Sequence, residues 1–144
     1  MNATETNSTL NRLRIIHTRS FAAYVHYAAP WIRKGFHGAA DVLETMSSEI
    51  ERIADHVGEM ILSNGGKLVA GEFPIEFTSR HDLSLDYPLS VIIEHQEKDI
   101  VAIQECVNQL DANPLGQALA EEALGAAKGH LDSLQELVAT QSDT

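Results

Sequence analysis

Cysteine, proline, basic residues and long apolar runs are all scarce in this sequence of 144 residues. The single cysteine, Cys106, excludes a disulfide framework and a cysteine-based zinc site within one chain. Ten Lys and Arg stand against 21 Asp and Glu, which gives a formal net charge of −11, and no basic patch is set apart. A chain this acidic repels nucleic acid and anionic membranes, so we expect no direct nucleic-acid binding.

Several sequence signals of location and catalysis are also missing. No apolar run is long enough to span a bilayer, and the first nine residues lack the basic start and apolar middle of a secretory signal. The sequence contains no glycine-rich phosphate loop and no G-x-S-x-G nucleophile turn. With 44% hydrophobic and 22% charged residues, we expect a cytoplasmic globular protein with one domain over 1–144, in which 1–7 form a flexible tail.

The four prolines and nine glycines leave room for long helices. Pro30 ends the first predicted helix, Gly65 and Gly66 end the second, and Asn113-Pro114 is typical of the start of the fourth. The predicted helices cover 8–29, 36–64, 86–111 and 113–140. Two connections are short, whereas 66–85 is long enough to cross the molecule. This pattern predicts an all-α, ferritin-like four-helix bundle with one long crossover between the second and third helices.

The second predicted helix is the most clearly two-sided. Its apolar residues, from Val42 to Ile61, cover one face. The opposite face carries polar residues within about 40° of one line, and these are His37, Asp41, Glu44, Ser48, Glu51, Asp55 and Glu59. Carboxylates and imidazole are ligands for iron and similar metals. A solvated helix face shows the same pattern, so both interpretations stay open on the residues alone.

Few metal ligands are predicted to face the bundle interior. His17 lies on the apolar face of the first helix, where we expect a core histidine with a hydrogen-bond partner. Gln96 and His130 lie among apolar residues of the last two helices and are predicted to form a buried polar pair or a water site. An interior diiron site using His17, Glu122 and His130 is the weaker hypothesis, because inward carboxylates are too few.

The segment Ile53-Ala-Asp-His-Val-Gly-Glu-Met-Ile-Leu-Ser-Asn-Gly-Gly-Lys67 resembles the second helix of the Dps miniferritins. That family has Asp, three residues, Glu, an apolar turn and Gly-Gly before the crossover. Asp55 and Glu59 match its two carboxylate iron ligands by spacing. Weaker similarities extend over most of the chain: Leu10-Asn11 resembles the opening of the family's first helix, and 129–134 resembles its last helix.

The resemblance implies a hollow shell, expected to be a dodecamer, that binds iron(II), oxidises it with peroxide or oxygen and stores the ferric product. In the family, Asp and Glu of one subunit and two histidines of its two-fold mate hold the iron. The family's histidine positions fall here on Ala28 and Ala40. We therefore expect iron as the metal, held by Asp55 and Glu59 of one chain with His37, Glu44 and His26 of its mate. The alternative is a non-catalytic ferritin-like assembly with an incomplete ferroxidase centre.

Overall fold

The computed structural model describes residues 2–19, 37–69 and 86–142. Within these ranges the chain forms helices and no strands. The four helices are α1 (Ala3–Thr18), α2 (His37–Ser63), α3 (Asp86–Gln109) and α4 (Pro114–Ser142). The prediction of an all-α protein with four helices is confirmed, and the bounds of the last three helices agree with the sequence to within about two residues.

Helix α1 begins at Ala3, five residues before the predicted start at Ser8. Asn2 is its N-cap: the Asn2 side chain accepts a hydrogen bond from the Glu5 amide, and the Glu5 carboxylate accepts one from the Asn2 amide. This reciprocal pair is a capping box, which satisfies amides that a helix start leaves unpaired. Residues 3–7, assigned from sequence to a tail, are therefore helical. The predicted end at Ala29 lies outside the described residues.

The glycines after α2 end that helix as the sequence predicts. Gly65 has a positive φ of 78°, its amide donates to the Leu62 carbonyl, and the Gly66 amide donates to the Ile61 carbonyl. These two bonds form a Schellman motif. At the start of α4, the side chain of Asn113 accepts a hydrogen bond from the Gly116 amide, which confirms Asn113 as the predicted N-cap.

The side-chain contacts between helices give the direction in which each one runs. The side-chain amide of Gln96 on α3 donates a hydrogen bond to the Ala127 carbonyl on α4. The side-chain amide of Gln117, near the start of α4, donates one to the Val107 carbonyl near the end of α3. Helices α3 and α4 are therefore antiparallel, as their short connection predicts. Corresponding contacts make α1 antiparallel to α2 and to α3, and α2 antiparallel to α4. It follows that α2 and α3 run in the same direction.

The core lies along the shared axis of the four helices. Leu10, Leu13, Val57 and Ile61 from the first two helices are completely buried. They form one cluster with buried residues of the other two, namely Ile103, Cys106, Val107, Leu110, Ala120, Ala123 and Ala127. The apolar face predicted for the second helix is confirmed, since its residues between Leu43 and Ile61 are buried or half-buried.

The apolar pattern of α4 predicts Leu115 as a core residue, and this prediction is wrong. Leu115 is 76% exposed, and its neighbour Gly116 is buried instead, followed by Ala120 one turn later. A Cβ added at Gly116 would come to 3.2 Å from Oδ1 of the N-cap Asn113 and to 3.4 Å from the Leu110 side chain, so the space at this position is limited.

No helix among the described ranges combines the length and the apolar character that crossing a membrane requires.

Candidate functional site

The polar face of α2 points away from the core. All six described members of this face are exposed, and they are Asp41, Glu44, Ser48, Glu51, Asp55 and Glu59. The physical reason is the helix phase: the apolar residues of α2 occupy the opposite side and are packed in the bundle. Because the face is exposed within one chain, it is accessible to solvent, to an ion or to a second molecule.

Asp55 and Glu59 lie one turn apart on this face, about 6 Å along the helix axis. Neither carboxylate forms an ion pair or a side-chain hydrogen bond with any residue in the described part of the chain. By contrast, Arg52 on the same helix is paired with Glu122 of α4 at 3.0 Å. The two carboxylates thus keep their full capacity to accept a cation.

The two predicted histidine ligands differ in what the structure says of them. His37 is the first residue of α2, on the helix that carries Asp55 and Glu59, but its side chain is not among those described. His26 lies outside the described residues. Glu44 is exposed on α2, about three turns before Asp55. The structure therefore places three predicted carboxylates on one exposed face and leaves the two histidines as predictions.

A second polar cluster lies inside the bundle, around a cavity of about 20 Å³. Its polar lining comes from three helices: His17 of α1, Gln96 and Asp99 of α3, and His130 of α4. Apolar residues of all four helices complete the wall, among them Ile50 and Ile53 of α2. The volume is that of about one water molecule.

His17 is a core histidine with a hydrogen-bond partner, as predicted. It is 5% exposed, and its Nδ1 lies 2.8 Å from the carbonyl oxygen of Leu13, so that Nδ1 is the donor. In the neutral ring the proton is then on Nδ1, and Nε2 is left as an acceptor. Burial lowers the pKa of His17, against the smaller opposing effect of the Leu13 carbonyl, and the nearby His130 lowers it further.

His130 is 9% exposed and lies beside Glu49 of α2. Its Nε2 is 3.2 Å from a Glu49 carboxylate oxygen, yet the ring is not aligned for a hydrogen bond, and Nε2 has no hydrogen-bond partner among the described residues. Burial lowers the pKa of His130, while the Glu49 charge acts in the opposite direction. An imidazole nitrogen left buried and unpaired is costly.

Gln96 does not pair with His130, although both line the cavity. Its amide Nε2 donates to the Ala127 carbonyl at 2.9 Å, which fastens α3 to α4. Asp99, one turn further along α3, was not singled out from the sequence. Burial raises the pKa of Asp99 from 3.8 to about 7. Its position three residues after the buried Gln96 and four before the buried Ile103 is the sequence signal that places it at the core boundary.

The interior set His17, Glu122 and His130 is not brought together. Glu122 is half-exposed and bound to Arg52 on the surface, whereas both histidines line the cavity. Across the described parts of the single chain, no three His, Cys, Asp or Glu side chains converge closely enough to hold a metal ion. The interior diiron hypothesis thus lacks the carboxylate that it needed.

Comparison with known proteins adds no relative: no family model, no curated protein and no solved structure matches this chain.

Proposed function

We propose that the protein is a ferritin-like, self-assembling iron protein of the Dps type, which binds iron(II) on the exposed face of α2 and oxidises it with peroxide or oxygen. The observation that carries the proposal is the pair Asp55 and Glu59. Both carboxylates are exposed, lie one turn apart, and are free of protein partners within the described ranges. Their spacing is the one the miniferritins use for iron.

The ferritin-like topology is supported by the helix directions. Because α2 and α3 run in the same direction, the end of α2 and the start of α3 lie at opposite ends of the bundle. We propose that 66–85 forms the long connection of ferritin-like folds, since a connection between these two ends has to span the bundle.

A site between two copies fits the placement of these carboxylates. The face of α2 is turned outward, so a second molecule would have to supply the remaining ligands. We propose that Asp55 and Glu59 of one chain meet His37, Glu44 and His26 of its mate in a closed assembly, a dodecamer. Carboxylate and imidazole ligands would hold iron(II) and favour the harder iron(III) as the metal is oxidised.

The experiment is an anaerobic iron(II) titration of three proteins by calorimetry: wild type, D55A/E59A and D132A/E136A. Asp132 and Glu136 form the matched control, since they are an exposed Asp and Glu with the same spacing on α4. We expect the Asp55/Glu59 variant to bind iron(II) at least tenfold more weakly, because two ligands are lost. The control should bind like wild type.

Equal affinity in all three proteins would contradict the proposed site. If the assembly stays intact in that case, as measured by sedimentation, the result favours the non-catalytic ferritin-like assembly. Loss of affinity in both variants would instead assign the effect to overall negative charge, and would also count against a specific site.

A further inference from the structure

The cavity brings titratable groups of three helices within a small, mostly apolar volume. His17 comes from α1, Asp99 from α3 and His130 from α4, with Gln96 as the neutral polar neighbour. Glu49 of α2 is outside this lining and contacts His130. No Lys or Arg of the described residues lines the cavity. Lys98, next to Asp99, and Lys128, two residues before His130, are exposed.

This composition restricts the charges that the cavity can hold. An ionised Asp99 would be a largely buried negative charge, and within the described part of the chain no Lys or Arg lines the cavity opposite it. A buried unpaired charge is strongly disfavoured. The imidazoles of His17 and His130 resist taking up a proton for the same reason, since they too are buried. The groups that line the cavity carry no charge when Asp99 is a neutral carboxylic acid and both imidazoles are neutral.

We propose that this cavity is a proton-binding centre, in which the carboxyl group of Asp99 takes up and releases a proton near neutral pH next to the neutral rings of His17 and His130. A protonated carboxyl group is a hydrogen-bond donor, and the buried Nε2 of His130 makes no well-aligned hydrogen bond within the described ranges, although Glu49 lies 3.2 Å away. The cavity volume of about 20 Å³ admits one water molecule. A water there would lie among the Asp99 carboxyl group and the two imidazoles, since all three line the cavity.

The titration of Asp99, His17 and His130 makes the stability of the fold depend on pH. Asp99 has a pKa near 7 in the folded protein and an ordinary one after unfolding, so folding takes up a proton between about pH 4 and 7. The stability that this group gives is therefore present in acid and is lost as the pH rises to 7. The lowered pKa values of His17 and His130 act oppositely, because the unfolded chain binds protons at these rings more readily than the folded chain does.

The experiment compares urea unfolding of wild type, D99N and E97Q between pH 5 and 8.5. The amide of D99N imitates the protonated acid and does not titrate. Relative to wild type, its unfolding constant should fall about tenfold for each pH unit between 5 and 6.5 and level off above pH 7. E97Q is the matched control, since it removes an exposed carboxylate of the same helix, and it should keep the wild-type profile.

Parallel profiles of D99N and wild type over the whole range would overturn the proposal. A direct measurement on the wild-type chain covers the case in which D99N does not fold. The carboxyl ¹³C resonance of Asp99 should titrate near pH 7 in the folded protein. A midpoint below pH 5 would show an ionised Asp99 at neutrality, and would contradict the proton-binding centre.

Discussion

Asn11 is the residue that fastens the segment after α2 to α1. Its side-chain amide donates to the Lys67 carbonyl at 2.9 Å, and its Oδ1 accepts a hydrogen bond from the Val69 amide at 3.0 Å. The residue is 9% exposed, so water does not replace these bonds freely. One side chain therefore sets the direction in which the chain leaves α2.

Replacement of Asn11 by alanine should destabilise the protein by about 2 kcal/mol, because two part-buried hydrogen bonds are lost. Urea unfolding at constant pH measures this change. Asn108→Ala is the control, since Asn108 is exposed on α3, and it should change stability by less than about 0.5 kcal/mol. Equal effects of the two substitutions would contradict the role given to Asn11.

The burial of single residues was predictable from helix periodicity, whereas the contacts between residues of different helices were not. The alternation of apolar and polar positions placed His17, Gln96 and His130 inside the bundle, and the structure confirms all three as buried. That His130 approaches Glu49 and that Asp99 lines the same cavity depends on how helices far apart in sequence pair. A single sequence does not specify which helices pack together, so these two contacts could not be predicted from it.

Among the elements, α2 shows how a helix end is encoded by backbone chemistry. Gly65 adopts a left-handed conformation with φ of 78°, which side chains with a Cβ disfavour. The two hydrogen bonds of Gly65 and Gly66 depend on this turn.

Gly65→Ala should therefore lower stability by about 1 kcal/mol, because alanine is strained at this φ. Gly125→Ala is its opposite: Gly125 lies in the middle of α4 with open space around it, and alanine there should raise stability by about 0.5 to 1 kcal/mol. Thermal or urea unfolding of both variants gives the comparison. Two changes of the same sign would be inconsistent with the Schellman end of α2.

The two errors of the sequence prediction, the start of α1 and the buried residue at the start of α4, have distinct causes. The start of α1 was predictable, since Asn2 and Glu5 have the spacing of a capping box, but the polar composition of 1–7 favoured a tail. The buried positions at the start of α4 were harder to predict. Hydrophobicity alone selects Leu115, whereas the structure buries the small residues Gly116, which packs beside Asn113 and Leu110, and Ala120.

At the scale of the whole molecule, the net negative charge and the exposed acidic face of α2 both affect contact between copies of the chain. A net charge of −11 disfavours contact between copies of the chain unless cations lie between them. Iron(II) at the carboxylates of α2 would provide such cations, so metal binding and assembly are expected to support each other. The same charge underlies the expectation that the protein does not bind nucleic acid directly.

Iron(II) oxidation by the metal-free protein is the direct test of the proposed iron chemistry. A few equivalents of ferrous salt per chain are added in the presence of oxygen and then of peroxide, and ferric absorbance is followed against a protein-free control. We expect faster oxidation with a soluble ferric product, and a fall to the protein-free rate in D55A/E59A with the assembly intact. A wild-type rate equal to that of the protein-free solution would contradict the proposed function.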